Sequence, residues 1–268
     1  MQKIAILGCG WLGLSLAKFL GKNNFEVSGS TTSPEKLDSL ENAKIKAFLI
    51  NIFEDKIDGD IHKFLEQANV LIINIPPKLR GLRLENFVTK IKNLIPFIEK
   101  ASINKVLFVS STSIFADENL VVNQDTIPNP VSESGQQLWQ TEKILQSNIN
   151  FETTVLRFGG LVGTDRHPAI MLGGRTMLPN PKAPINLIHK EDCINIIFEI
   201  IKQNSWGKSY NAVSPYHPSR EKYYTQKAEL LEVPKLSFDH TKQSYGKMVL
   251  SDGLINDLKY KFLIVENI

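Results

Sequence analysis

The sequence predicts an α/β fold: a doubly wound parallel sheet followed by a small, loop-rich C-terminal lobe. Three observations predict it. Strand-length apolar runs alternate with helically spaced segments through the first 160 or so residues. Two of the runs, Val70–Ile75 and Val106–Ser110, are nearly continuous, as strands buried on both faces of a parallel sheet require. The texture then changes after about Gly159, where glycine, proline and polar residues dominate as far as Pro184.

Taken in order, Lys3–Leu7 reads as a short strand ending at glycine, and Leu12–Leu20 has helical spacing. Phe25–Ser30 is a second strand. Pro34 opens a helix, since its fixed φ suits a first turn, and Ser33 is placed to cap it. Ile45–Ile50 is a third strand, and Val70–Ile75 a fourth, stopped by Pro76 and Pro77. Phe87–Ala101 is helical, with a kink expected at Pro96. Val106–Ser110 is a strand, Ser132–Leu145 a helix and Phe151–Arg157 a strand. Such alternation implies βαβ units, whose right-handed crossovers place helices on both faces. Beyond the irregular stretch, Asp192–Lys202 and Ser219–Leu231 read as helices and Ser209–Val213 as a short strand returning to the sheet.

Composition narrows the function. The 268 residues are 42% hydrophobic and 22% charged, which is ordinary globular usage. Lys and Arg number 31 against 28 Asp and Glu, a net +3. That is too small and too evenly spread for a dedicated nucleic-acid or anionic-membrane binder. Two cysteines, Cys9 and Cys193, exclude a disulfide framework and a cysteine-based zinc cluster. His62, His217 and His240 lack metal-ligand spacing, so no metal is expected. No uninterrupted apolar stretch approaches membrane-spanning length. The apolar start from Met1 to Ala17 imitates a signal peptide, but a strand-turn-helix explains the same residues, and a cytoplasmic protein is expected.

Gly8-Cys9-Gly10-Trp11-Leu12-Gly13 fits G-x-G-x-x-G between a strand and a helix, the context that gives this motif meaning. Gly8 would permit the tight turn, Gly10 the approach of a pyrophosphate, and Gly13 close helix–strand packing. The helix start supplies free N–H groups and partial positive charge. The reading is a Rossmann dinucleotide-binding domain over residues 1–160 and a small substrate-binding lobe over 161–268. Dinucleotides with an NAD preference find an acidic residue near the end of the second strand. Here that end is Ser30-Thr31-Thr32-Ser33, with Lys36 one turn on. Hydroxyls and a lysine favour NADP over NAD, without the arginine clamp that would decide it. Trp11 either covers the cofactor or packs on its helix, and Cys9 is explained by small size.

Several segments together resemble the extended and atypical short-chain dehydrogenase/reductases of the NAD-dependent epimerase/dehydratase type. They are the glycine loop, Leu107 to Phe115 (LFVSSTSIF), Leu156 to Gly163 (LRFGGLVG), Ile185 to Asp192 (INLIHKED) and Tyr210 to Val213 (YNAV). Ser132 to Leu138 (SESGQQL) and Asn74 to Pro77 (NIPP) resemble most a bacterial branch, the YeeZ-like proteins. The resemblance implies a cofactor site that includes Ile75, Pro76, Pro77 and Ser110, and dimerisation through the helices at Phe87–Ala101 and Ser132–Leu145. It also exposes a departure. Active members carry Tyr-x-x-x-Lys on the helix after the fifth strand. In register, Ser134 and Leu138 stand there. A tyrosine needs a nearby cation to act as a base near neutrality, and neither group is present. The one literal Tyr-x-x-x-Lys, Tyr223 to Lys227, lies on a later helix and reads as packing or lobe surface.

By the same resemblance Ser111 takes the place of the catalytic Ser/Thr, with Thr112 and Ser134 beside the substrate. Ser111 equally suits a hydroxyl that bonds local backbone. Phe115 replaces a tyrosine and reads as core. On the loop Gly163–Pro168, Arg166 suits an anionic group and His167 an acid or base, unless both are simply solvated. Arg175 and Lys182 extend the basic lining. His189 and Asp192 read as caps of the following helix. Three functions stay open: an NAD(P)-dependent oxidoreductase or epimerase on a small carbonyl, hydroxyl or nucleotide-sugar-like substrate, a catalytically silent NAD(P)-binding sensor, and a scaffold with no nucleotide.

Overall fold

The computed structural model describes residues 1–77, 85–118 and 120–266. Seven parallel strands form the central sheet: β1 (Lys3–Leu7), β2 (Glu26–Thr31), β3 (Lys46–Leu49), β4 (Val70–Ile73), β5 (Lys105–Ser111), β6 (Glu152–Phe158) and β7 (Ser209–Ala212). Their spatial order is β3-β2-β1-β4-β5-β6-β7. The chain winds outward from β1 to β3, then returns past β1 to lay down β4 against it, Leu7 opposite Ile73. The direction of winding reverses between β1 and β4, and ligands of such sheets bind in the crevice beyond the carboxyl ends of those strands.

Alternating side chains feed two cores. Ile4, Ile6, Val70, Ile72, Leu107 and Leu156 face α1 (Trp11–Lys22) and a later helix, Lys190–Lys202. Ala5, Leu7, Leu71, Ile73, Val106, Phe108 and Val155 face α2 (Phe87–Lys100) and α3 (Glu133–Gln146). All four residues of β4 are fully buried, which is why its sequence is apolar without alternation. α2 runs through Pro96 as one helical element. Polar side chains cap both helices: Asn86 Oδ1 accepts from Thr89 N–H, and Ser132 Oγ from Gly135 N–H.

Within the irregular stretch, Gly160–Val162 pairs with Leu187–His189, and α4 (Pro168–Leu172) is a short helix. α5 (Lys190–Lys202) begins two residues earlier than the spacing predicts, because His189 Nδ1 caps it by accepting from Glu191 N–H. Asp192 is not a cap. It is fully buried, and its carboxylate accepts from Tyr260 Oη and from the backbone N–H groups of Leu263 and Ile264, pinning the C-terminal segment to α5. Ser33 holds the N-cap position before Pro34 but its side chain makes no cap. Thr31 Oγ1 accepts from Ser33 N–H instead. α6 (Arg220–Leu230) packs Tyr223 and Tyr224 with Val162, Leu178, Leu187 and Phe238 into a third, smaller core. Phe115 is buried, as expected.

One ion pair lies inside the main body. Arg157 of β6 grips Glu142 of α3 with Nε and Nη2 at 3.1 and 2.9 Å, both side chains almost wholly buried. Ser110 Oγ at the end of β5 donates to the other oxygen of Glu142 at 2.5 Å. Three elements are thereby held in one register. Removing one partner leaves a bare buried charge, so Glu142→Leu should cost about 3–5 kcal/mol in urea unfolding. The double variant Glu142→Leu/Arg157→Met should recover most of that loss.

Candidate active site

The carboxyl ends of β1, β2, β3 and β4 open into a cleft lined by the glycine loop, Ser30 to Ser33, Lys36, Ile50, Ile52, Asn74, Ile75, Pro76, Glu85, Phe87 and Lys90. The three glycines do three different jobs. Gly8 has φ +102°, and a Cβ there would meet Asn74 O at 2.5 Å. A Cβ on Gly13 would lie 2.2 Å from Gly8 O. Around a Cβ on Gly10 there is nothing within 4 Å. Gly10 is also the N-cap of α1 and brings no capping side chain. The first turn of α1 therefore begins without a side-chain cap beside the open space at Gly10, which suits a phosphate.

Two side chains hold the loop. Gly8 N–H donates to Ser30 Oγ (3.0 Å), and Asn74 Nδ2 donates to Gly8 O (2.9 Å). Ser30 is thus buried support for the loop. The sequence marks Asn74 for this role only by its place just after a buried strand. Thr31 is also buried, its hydroxyl engaged in the local turn to Ser33. Thr32 and Lys36 are exposed at the cleft, with Ser33 half-buried. Glu85 and Lys90 form an ion pair there that no motif announced. Leu12 buries its side chain in the core and offers the cleft only its backbone. Cys9 packs under Gly29, whose Cβ would strike its sulfur at 2.7 Å, and burial pushes its thiol up to about 12.

Trp11 ties the start of α1 to the loop from Gly163. Its indole Nε1 donates to Asp165 Oδ2 at 2.9 Å, and the centre of its ring is 4.5 Å from Lys190 Nζ and 5.2 Å from the Arg166 guanidinium. Asp165 also accepts from Lys190 Nζ (3.2 Å). The loop from Gly163 is clasped onto the start of α1. The indole and Lys190 together hold the Asp165 carboxyl below its ordinary 3.8.

At the end of β5, Ser110 is committed to Glu142. Ser111 Oγ accepts from Ser113 N–H (3.2 Å), which leaves its own O–H to donate. α3 abuts this turn so closely that a Cβ on Gly135 would meet Ser113 O at 2.5 Å. Ser134, in the first turn of α3, is half-buried, and Leu138 is buried in the apolar core. His167 Nδ1 accepts from Ala169 N–H (3.1 Å), so its neutral ring carries the proton on Nε2, 2.8 Å from Tyr223 Oη. Burial raises the Tyr223 hydroxyl well above its usual value, and it lowers Lys227, whose Nζ lies 5.7 Å from the Tyr223 ring. Tyr223 packs in the third core, with Lys227 half-buried beside it. Arg175 is exposed, and Lys182 lines a separate groove with His240. Pro77 is half-buried beside the cleft-lining Pro76. Among the described residues no group of three His, Cys, Asp or Glu could hold a metal ion.

Protein YeeZ of Escherichia coli K12 is 31% identical over 264 residues, covering 98% of this chain and 96% of that one. The chain belongs to the YeeZ family. Residues 3–108 of this YeeZ-family chain match the NAD-dependent glycerol-3-phosphate dehydrogenase N-terminus model, an NAD-binding Rossmann domain. Its fold is that of a putative NAD-dependent epimerase/dehydratase from Methylobacillus flagellatus, at TM-score 0.79 and 23% identity over 98% of this chain and 93% of that one. It also matches UDP-glucuronic acid 4-epimerase from Bacillus cereus, solved in complex with NAD, at TM-score 0.76 and 16% identity over 98% and 94%. Among the described residues no helix is long and apolar enough to cross a membrane.

Two outcomes follow from this geometry. Gly13→Ala should unfold at a lower temperature and lose dinucleotide binding, because its Cβ has nowhere to go. Gly10→Ala should keep the wild-type melting temperature and still lose at least about tenfold in NAD(P)H affinity, since its Cβ occupies the phosphate approach. Calorimetric titration beside thermal melts separates the two. The second outcome concerns pH. A carboxyl with a depressed folded value holds its contacts above the ordinary range and releases them as pH falls through the depressed value. The Trp11 clasp should therefore persist at pH 5 and open below about pH 3.8, with a change in indole fluorescence that Asp165→Asn removes.

Proposed function

We propose that this protein is an NAD(P)-dependent oxidoreductase or epimerase that acts on a small carbonyl, hydroxyl or nucleotide-sugar-like substrate. The observation that carries the proposal is the uncapped first turn of α1 at Gly10, facing open space where a pyrophosphate would lie. The residues fit a dinucleotide. Gly10 and the α1 N-terminus would hold its pyrophosphate, and Ile50, Ile52 and Phe87 give the cleft an apolar wall. Thr32, Ser33 and Lys36 favour a 2′-phosphate, hence NADP(H) over NAD(H), while the carboxylate in the cleft, Glu85, is already neutralised by Lys90. The bound nicotinamide would supply hydride transfer. Ser111 would donate its hydroxyl to the substrate carbonyl or accept from its hydroxyl, with Thr112 and Ser134 alongside. Arg166 would face the cofactor from the clasped loop. His167 is the acid–base group available on that loop, through Nε2 and the Tyr223 hydroxyl. A homodimer through the outer faces of α2 and α3, and a cytoplasmic location, belong to the same reading.

A second reading has its own observation. Leu138 is buried in the apolar core where related enzymes place a catalytic lysine, so the general acid–base contribution of roughly 10²–10⁴ is missing from that helix. On this reading the protein binds NAD(P) as a sensor and does not turn it over.

Titration with NADPH and then NADH comes first. A Kd near 1 μM, about −8 kcal/mol, is expected for NADPH, and Lys36→Ala should weaken NADPH more than NADH. Oxidation of the bound cofactor by a panel of carbonyl substrates, lost in Ser111→Ala, would establish the enzyme. Tight binding with no turnover across the panel would leave the sensor. Absence of binding by either nucleotide overturns both readings.

A further inference from the structure

A second concavity lies at the carboxyl end of β5, on the side of the lobe. Thr112, Asn186, Arg220, Tyr224 and Lys247 line it together with Asp117. Thr112 directly follows Ser111, so the pocket adjoins the proposed reacting end of the substrate. Arg220 is the first residue of α6, and its backbone N–H donates to Ala183 O (2.8 Å), which fixes where its side chain starts. Its guanidinium carbon lies 5.8 Å from the centre of the Tyr224 ring. Its Nε is buried and has no hydrogen-bond partner among the described residues. A buried donor left without an acceptor is costly, more so in a charged group, so the site suits an acceptor that the described residues do not supply.

The surrounding charges agree. Lys247 is 8% exposed and donates to Phe115 O (2.7 Å) and Asp117 Oδ1 (2.9 Å). Asp117, the carboxylate among the lining residues, is therefore engaged by Lys247 and leaves Arg220 unneutralised. Asn186 is turned away to other partners: its Nδ2 donates to Lys247 O and its Oδ1 accepts from Val249 N–H. A planar guanidinium with a free N–H beside an aromatic face is suited to bind a planar or tetrahedral oxyanion.

We propose that this pocket is an oxyanion subsite. It takes the carboxylate or phosphate of a small substrate, with Arg220 as the charge anchor and Thr112 beside it, and presents the remainder of that substrate to Ser111. The inference rests on the enzymatic reading above and narrows its substrate class to anionic compounds.

The test uses the full chain, followed through its backbone and arginine side-chain N–H resonances. It is titrated separately with inorganic phosphate, with acetate and with NADPH. The expected result is saturable shifts at Arg220 Nε–H, Thr112 and Lys247 with phosphate or acetate. Arg220→Gln should weaken them at least tenfold and Arg220→Lys less, with NADPH affinity kept in both variants. A larger affinity for phosphate identifies a phosphoryl substrate, and one for acetate a carboxylate. Phosphate shifts confined to residues 8–13, or no saturable shift with either anion, overturn the proposal even when NADPH binds. Anion binding at Arg220 without NADPH binding would uphold the subsite and remove the cofactor reading instead. If Arg220→Gln fails to fold, Arg220→Lys carries the comparison, and unchanged anion affinity in it overturns the assignment to the guanidinium.

Discussion

The architecture depends on the close approach of backbone at Gly8. Its N–H is bonded to Ser30 of β2, its carbonyl to Asn74 beyond β4, and its carbonyl oxygen lies where a side chain on Gly13 would have to be. Three strands and the first helix converge on that one residue. Because Gly8 has positive φ and no Cβ, the chain can turn there without strain. Because Gly13 has no Cβ either, α1 can sit directly on the turn and aim its first N–H groups along the cleft. A side chain at either position would push α1 off the sheet. The cleft would lose the end formed by the glycine loop, and the core on that face its packing.

The lobe is coupled to the same helix by a second device. Trp11 occupies the variable part of the glycine motif, and its ring bridges Lys190, Arg166 and Asp165. The clasp is mostly exposed and ionic, so each contact contributes little alone. Its effect is positional. It sets the loop that carries Arg166 and His167 over the start of α1, so any ligand at Gly10 is next to the lobe. The third core, around Tyr223 and Phe238, gives the lobe a small apolar interior of its own.

Hydroxyls at the strand ends divide into two sorts, and only their surroundings tell them apart. Ser30, Thr31 and Ser110 are buried and bonded to Gly8, Ser33 and Glu142, so they hold backbone or an ion pair in place. Ser111 is part-exposed and uses an acceptor site for Ser113, keeping its proton to donate. In the sequence these residues form two similar runs, Ser30-Thr31-Thr32-Ser33 and Ser110-Ser111-Thr112-Ser113. Nothing local marks which members turn inward.

The sequence alone determined the layered α/β fold, because strands buried on both faces must be apolar and glycine punctuation is required wherever backbone meets backbone. It marked the glycine loop for the same reason: Gly8 and Gly13 answer steric demands that no side chain could meet, while Gly10 borders open space. It also showed Ser134 and Leu138 standing where the resemblance expects catalytic groups. Only the tertiary structure decided what depends on elements distant in the chain. The roles of Asn74, of the Glu85–Lys90 pair, of Asp192 as anchor of the C-terminal segment, and of Arg220 beside Tyr224 all arise from contacts that local patterning does not encode. A polar residue reads alike in sequence whether it caps, pairs or waits for a ligand, and the difference lies in which neighbours the fold brings within hydrogen-bond reach.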